Sequence, residues 1–293
     1  MFLPRKILEE KLRNMLAEDI GQGDITTALI VPADSTAGAE IISKETGVIA
    51  GMEEAKILVE SLGLKAEILV SDGEKVKAKR ILMKISGRTR TILSVERTLL
   101  NIISRMSGIA TTTRKLIGKI QKAKLKTKVA CTRKVAPGLL YFDKKAVLTG
   151  GGDTHRLHLD DMILIKDTHI RVAGSIKKAI ENVRKDASFS KKIEVEVTRV
   201  KDVLVAARAR ADIIMLDNFT PKQIEKAIKL LKKERLFGKV LLEASGGITA
   251  ENILAYASTG VEIVSLGEIT HSARALDISL EITKARPLSR KDG

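Results

Sequence analysis

From about Lys126 onward, six short apolar runs recur: KTKVACT, DMILIK, IEVEV, DIIMLD, KVLLEAS and VEIVSLG. Between the later ones lie helical segments such as SIKKAIENVRKD, VKDVLVAARAR, TPKQIEKAIKLLKKERL and TAENILAYASTG. Strands that are apolar along their whole length need cover on both faces, so these units predict a parallel sheet wrapped by helices. Six strands are too few for a closed eight-stranded barrel. Because polar residues end nearly every run, an open, incomplete α/β barrel fits better than a flat sheet.

In barrels of this kind the chemistry gathers at the C-terminal ends of the strands. Those ends carry Arg133 and Lys134, then Lys166 and His169, then Glu196, then Asp217 and Asn218. The fifth carries Glu243 and Ser245-Gly246-Gly247, and the sixth carries Gly267. A ring with this many cations suits a small, strongly anionic ligand, since burying an unpaired cation is costly. The segment GGGDTHR offers a flexible approach to His155 and Arg156, read as further anion contacts, with an ordinary turn as the plain alternative. His155 and His158 form H-x-x-H, but no third ligand at suitable spacing supports zinc.

Ser245-Gly246-Gly247 precedes Thr249, a candidate helix cap, so backbone N–H groups and a helix dipole predict an oxyanion site there. Leu266-Gly267-Glu268 ends the next strand and matches the late-strand phosphate sites of barrels. Glu196 and Asp217 either balance the cations or form an outer-shell Mg²⁺ site, because Mg²⁺ favours one or two carboxylates plus substrate phosphates. Glu194 shares a strand face with Glu196, and only position at the strand end favours Glu196. Arg97, in SVERTLLNII between Leu93 and Leu100, either snorkels from its own core or projects across a subunit interface.

The N-terminal part reads differently. An amphipathic helix carrying Ile7, Leu8, Leu12, Met15 and Leu16 stops near GQGDITT. Strand-like runs follow at AGAEIIS, GVIAG, AEILV and RILMKISG, with a helix at MEEAKILVESLG. A long helical pattern from about Thr91 to Lys122 is predicted to break or kink near Gly108.

Composition narrows the class. A net charge of +16 allows nucleic-acid binding, a polyanionic substrate or a Lys-rich surface of the kind thermophiles carry. Aromatic residues make up only 2% of the chain, and no basic recognition motif is present, so the reading is no nucleic acid. No apolar run reaches the length of a membrane span, and the N-terminus lacks a signal-peptide pattern. The single cysteine, Cys131, excludes an internal disulfide, so a cytoplasmic protein without membrane association is expected.

Taken together, the segments resemble the quinolinate phosphoribosyltransferases. The residues carrying the resemblance are EDIGQGDITT, ERTLLNIISRMSGIAT, TRKVAPGL, AVLTGGGDTHRL, ILIKDTHI, IEVEV, IMLDNF, LEASGGIT and VSLGEITHSARALDISLEI. They run in order from Glu18 to Ile282. The resemblance implies an N-terminal α/β sandwich over 1–105, joined by a C-terminal segment 270–293, and an open α/β barrel over 106–269. It implies transfer of phosphoribosyl from 5-phosphoribosyl 1-pyrophosphate to quinolinate with decarboxylation, giving nicotinate mononucleotide, CO₂ and pyrophosphate in NAD biosynthesis. Quinolinate would be met by Arg133, Lys134, His155, Arg156 and Lys166, with Arg97 from the partner subunit of a homodimer, alone or within a trimer of dimers. Glu196 and Asp217 would serve the ribose and, through water, Mg²⁺. Lys134, Lys166, Glu196 and Asp217 form the implied catalytic set. Ser245, Gly246, Gly247 and Gly267 would hold the 5′-phosphate, with His271 nearby. Thr154 and the Tyr141-Phe142-Asp143 loop depart from the family pattern. Rival readings are a nicotinate phosphoribosyltransferase and the quinolinate-type homologue linked to molybdenum transport. The intact TRK, THR and IKDTH segments argue against both.

Overall fold

The computed structural model describes residues 3–286. The first half contains α1 (Arg5–Ile20), α2 (Ile25–Ile30), β1 (Thr36–Ser43), β2 (Gly47–Val48), α3 (Met52–Ser61), β3 (Lys65–Ile68), β4 (Lys75–Val76), β5 (Ile81–Arg88) and α4 (Thr89–Lys122). Then come β6 (Lys128–Cys131), α5 (Leu140–Thr149), β7 (Ile163–Ile165), α6 (Asp167–Ala173), α7 (Ile176–Asp186), β8 (Ile193–Val197) and α8 (Val200–Arg208). The chain finishes with β9 (Ile213–Asp217), α9 (Pro221–Lys233), β10 (Leu241–Ser245), α10 (Ile253–Ala257), β11 (Ile263–Leu266), α11 (Glu268–His271) and β12 (Ile278–Arg286).

Two compact units result. The first comprises the chain up to Thr112, the segment Tyr141–Gly150 and the chain from Ala273 onward. Its antiparallel sheet runs β12-β1-β5-β3, so the C-terminal strand pairs with the first strand of the chain. Leu8, Leu12 and Leu16 on α1 are buried, and α1 packs on α3.

Three details of this unit differ from the sequence reading. The segment around Tyr141-Phe142-Asp143 is a buried helix, α5, rather than a loop. It belongs with the N-terminal elements, although the sequence reading set it inside 106–269. Ion pairing explains the placement. Arg105 grips the fully buried Asp143 through two hydrogen bonds of 2.7 and 2.8 Å, while Tyr141 and Lys145 both donate to buried Glu54. The end of the expected 270–293 segment, from 287 on, lies outside the described residues.

Gly108 neither breaks nor interrupts α4, which is one helix over its whole length. A Cβ at Gly108 would lie 1.9 Å from the Arg274 carbonyl oxygen. The glycine is there because another backbone crosses the helix at that point, and a sequence pattern shows no crossing.

The second unit comprises Thr113–Leu140 and Gly151–Ser272. All six predicted strands form one parallel sheet in the order β6-β11-β10-β9-β8-β7. β6 and β7 are the two edges and do not pair with each other, so the barrel is open. Register explains how an apolar-looking sheet carries charge. Val195, Ile214, Leu216, Leu242 and Ala244 alternate with Glu194, Glu196, Met215, Asp217, Glu243 and Ser245, which share the opposite face.

Candidate active site

β6 positions the first group of residues. The segment after Gly150 runs along its free edge, where Cys131 N–H donates to Asp153 O (3.0 Å) and Asp153 N–H donates to Val129 O (2.8 Å). This pairing covers an exposed strand edge and brings His155 and Arg156 beside Arg133 and Lys134. The polar strand face supplies the remainder. Ser245 lies opposite Asp217 in the sheet, and Glu196 and Glu243 lie either side of Met215.

These residues enclose a cavity of about 250 Å³. Its lining includes Arg133, Lys134, His155, Arg156, Lys166, Glu196, Asp217 and Ser245, with Thr132, Leu164, Met215 and Glu243. Nine residues singled out from the sequence, Glu243 among them, therefore meet in one place. A wider neighbouring groove shares Arg133, Arg156 and Lys166 with it.

The charges are not equally buried. Arg133, Lys134 and Lys166 are exposed at the rim, whereas Arg156 is only 8% exposed. Burial lowers the Arg156 pKa, and the nearby Arg133 lowers it further. The sequence reading treated the cations as a buried set, but only Arg156 is one. Burial, followed by repulsion from Asp217, raises the Glu196 carboxyl.

The glycine positions lie near the cavity without lining it. A Cβ at Gly246 would strike the Asn218 side chain, and Gly246 and Gly247 both adopt positive φ, 92° and 63°. Gly267 admits the His271 ring, 2.9 Å from where its Cβ would be, and the Lys134 stem at 3.3 Å. Thr270 Oγ1 also donates to Lys134 O (2.8 Å). Gly267, His271 and Lys134 thus form one cluster. Thr249 caps the turn that leads into α10: its Oγ1 accepts the Glu251 N–H, its O accepts the Ile253 N–H at 3.0 Å, and its own N–H donates to Asn252 Oδ1 at 2.8 Å. α10 itself starts at Ile253, so Gly246 and Gly247 offer their backbone N–H groups ahead of a capped turn and a short helix.

His155 lines the cavity, and its ring is also engaged by protein groups. Its Nε2 lies 3.2 Å from Glu194 Oε2 and 3.2 Å from Glu243 Oε2, and its Nδ1 accepts the Arg156 backbone N–H at 2.8 Å. Both ring nitrogens are committed to protein groups. The sequence puts Glu243 in the strand-end ring and Glu194 on the face of Glu196, but assigns neither a role. The signal was period-two alternation, which puts Glu194 on the face of Glu196 and Glu243 on that of Ser245. Arg97 is exposed on α4 and forms no ion pair among the described residues.

The polar face of the open barrel thus presents cations beside two rim carboxylates and a glycine-rich turn. Sequence models for the quinolinate phosphoribosyl transferase N-terminal and C-terminal domains match residues 24–107 and 109–281. This chain belongs to the quinolinate phosphoribosyltransferase family. The probable nicotinate-nucleotide pyrophosphorylase [carboxylating] of Methanothermobacter thermautotrophicus is 43% identical over 92% of this chain and 97% of that protein. The structure of the nicotinate-nucleotide pyrophosphorylase from Francisella tularensis superposes with a TM-score of 0.88 at 40% identity, covering 96% of this chain and 98% of that one. Human nicotinic acid phosphoribosyltransferase, at 12% identity and a TM-score of 0.59 over 99% of this chain and 76% of that one, shares the fold alone. No helix among the described residues is long and apolar enough to cross a membrane.

Proposed function

We propose that this member of the family transfers phosphoribosyl from 5-phosphoribosyl 1-pyrophosphate to quinolinate and removes the 2-carboxylate. The products are nicotinate mononucleotide, CO₂ and pyrophosphate, within NAD synthesis. The observation that carries this reading is the convergence of Arg133, Lys134, Arg156 and Lys166 on one cavity. Four cations exceed what one carboxylate needs but suit two. Arginine meets a planar carboxylate through two parallel hydrogen bonds, whereas Lys166 offers a compact charge.

The pyridine nitrogen attacks the anomeric carbon as the bond to pyrophosphate breaks. The ribosyl carbon passes through an oxocarbenium-like transition state, and Lys134 and the other rim cations favour the departing anion electrostatically. The nitrogen, now positive, draws the electron pair left at C2 when CO₂ departs, and C2 then takes a proton. Orientation and charge account for the rate without a covalent enzyme intermediate.

Glu196 and Asp217 fit Mg²⁺, an all-oxygen cation that takes one or two carboxylates and leaves positions for water and phosphate. When bound, Mg²⁺ neutralises charge on the pyrophosphate. In this reading Glu196 and Asp217 also hold the ribose hydroxyls. Ser245, Gly246 and Gly247 take the 5′-phosphate, and Gly267 and His271 hold Lys134 in place. A cytoplasmic location fits the single buried cysteine.

The test compares quinolinate with nicotinate, using the same donor and Mg²⁺. Nicotinate offers the four cations one carboxylate where quinolinate offers two, so kcat/KM should fall by about 10³-fold or more. Comparable turnover of both acids would sink the assignment.

The exposed Arg97 completes the reading as a contribution from the partner subunit of a homodimer, alone or in a trimer of dimers. Arg97→Ala and Lys134→Ala homodimers should each be nearly inactive. After subunit exchange, one of two sites in a mixed dimer is intact, so about half the wild-type activity per mixed dimer should return. Exchange confirmed by mass with no recovered activity would assign Arg97 to its own subunit.

A further inference from the structure

Glu194 and Glu243 are 0% and 1% exposed, and none of their four carboxylate oxygens has a well-formed hydrogen bond. Burying two carboxylates costs stability unless partners compensate it. The His155 ring faces both, with one nitrogen equidistant from the two, and the Arg156 charge also acts on Glu194.

The ring is held from the other side as well. Arg156 N–H donates to Nδ1 at 2.8 Å. A nitrogen that accepts a hydrogen bond carries no proton, so the ring proton is on Nε2 and is shared between the two carboxylates. Burial pushes the His155 pKa down and the two carboxylates more than reverse this, lifting it to about 10. A second ring proton would nevertheless have to displace the Arg156 N–H from Nδ1, and the geometry keeps the ring singly protonated. The same proton removes the ring as a metal ligand, although His155, Glu194 and Glu243 are spaced like one.

The backbone of His155 is also unusual. Its φ is +52°, a left-handed conformation that costs a non-glycine residue free energy and persists only when its surroundings enforce it. They do. His155 N–H donates to Asp153 Oδ1 and Thr154 Oγ1 donates to His155 O, both at 2.8 Å. The next residue is Arg156, the buried cation of the cavity.

We propose that Glu194 and Glu243 are positioning residues, which hold the His155 ring with its proton on Nε2 and thereby fix the backbone that presents Arg156 to the quinolinate carboxylates. The Arg156 part rests on the proposed reading of the cavity. The tautomer does not.

Nitrogen-15 NMR of histidine-labelled, ligand-free protein reads the tautomer directly. The chain has four histidines, and a His155→Asn spectrum identifies the signal. The expected result is a protonated Nε2 and a bare Nδ1. A proton on Nδ1, or a metal-shifted Nε2 after Zn²⁺ addition, overturns the proposal without any further variant. In Glu243→Gln the single-tautomer signature should be lost. KM for quinolinate should rise about tenfold, with the donor KM unchanged and kcat altered less than threefold. A thermal melt establishes that the variant is folded. A folded Glu243→Gln with unchanged quinolinate KM overturns the positioning role, provided that Arg156→Ala raises that KM. If both variants leave it unchanged, the reading of the cavity fails instead.

Discussion

Arg156→Ala should lower kcat/KM for quinolinate by roughly 10²–10³-fold, about 3–4 kcal/mol of transition-state stabilisation. The exposed cations at the rim can be covered in part by water or by one another. Arg156 cannot, because it is only 8% exposed. Its removal strips one carboxylate of a desolvated, two-pronged partner. Arg156→Lys should recover only part of the loss, since an ammonium offers no planar fork. The donor side provides the control. Ser245, Glu196 and Asp217 are untouched, so the KM for 5-phosphoribosyl 1-pyrophosphate should change less than about threefold. Steady-state kinetics with each substrate varied in turn decides this. Equal losses for both substrates would mean that Arg156 supports the whole cavity rather than one ligand.

Gly108→Ala should destabilise the first unit by at least about 3 kcal/mol. Two effects compete. Alanine in a helix interior gains about 1 kcal/mol over glycine through propensity. Against that, the new methyl would sit 1.9 Å from the Arg274 carbonyl oxygen and 3.1 Å from the Ala275 Cα. Both neighbours are main chain, and Leu276 N–H is held by Ser104 O on α4 at 2.9 Å, so neither can move cheaply. Overpacking wins. The segment leading into β12 should detach first, giving earlier proteolysis near Arg274 along with a lower melting temperature. Gly118→Ala, on the same helix with nothing within 4 Å of the added Cβ, should be neutral or stabilising by up to about 1 kcal/mol. Similar melting temperatures for the two variants would refute the close-approach explanation.

The strand-end ring that lines the cavity was legible because strand alternation and strand ends are written locally. Arg133, Lys166, Glu196, Asp217 and Ser245 each follow an apolar run, and a parallel sheet forces such ends to one side. His155 and Arg156 were legible as polar residues after three glycines. Their role was not, because the contact that defines it joins β8 and β10 through a ring from a third segment. Thr249 was legible as a cap because its partners, Glu251 and Asn252, lie two and three residues on.

The sequence alone determined the period of each element, the parallel sheet and the chemistry available at its polar end, because these depend on neighbours a few residues apart. Tertiary structure decided the rest. It placed α5 with the N-terminal unit through Asp143 and Arg105, explained Gly108 by a crossing backbone, and made Arg156 the one buried cation among four. Each of these depends on groups remote in the chain meeting at a few ångströms, where burial and pairing set the energy. Burial is a property of the packed molecule and has no local signature.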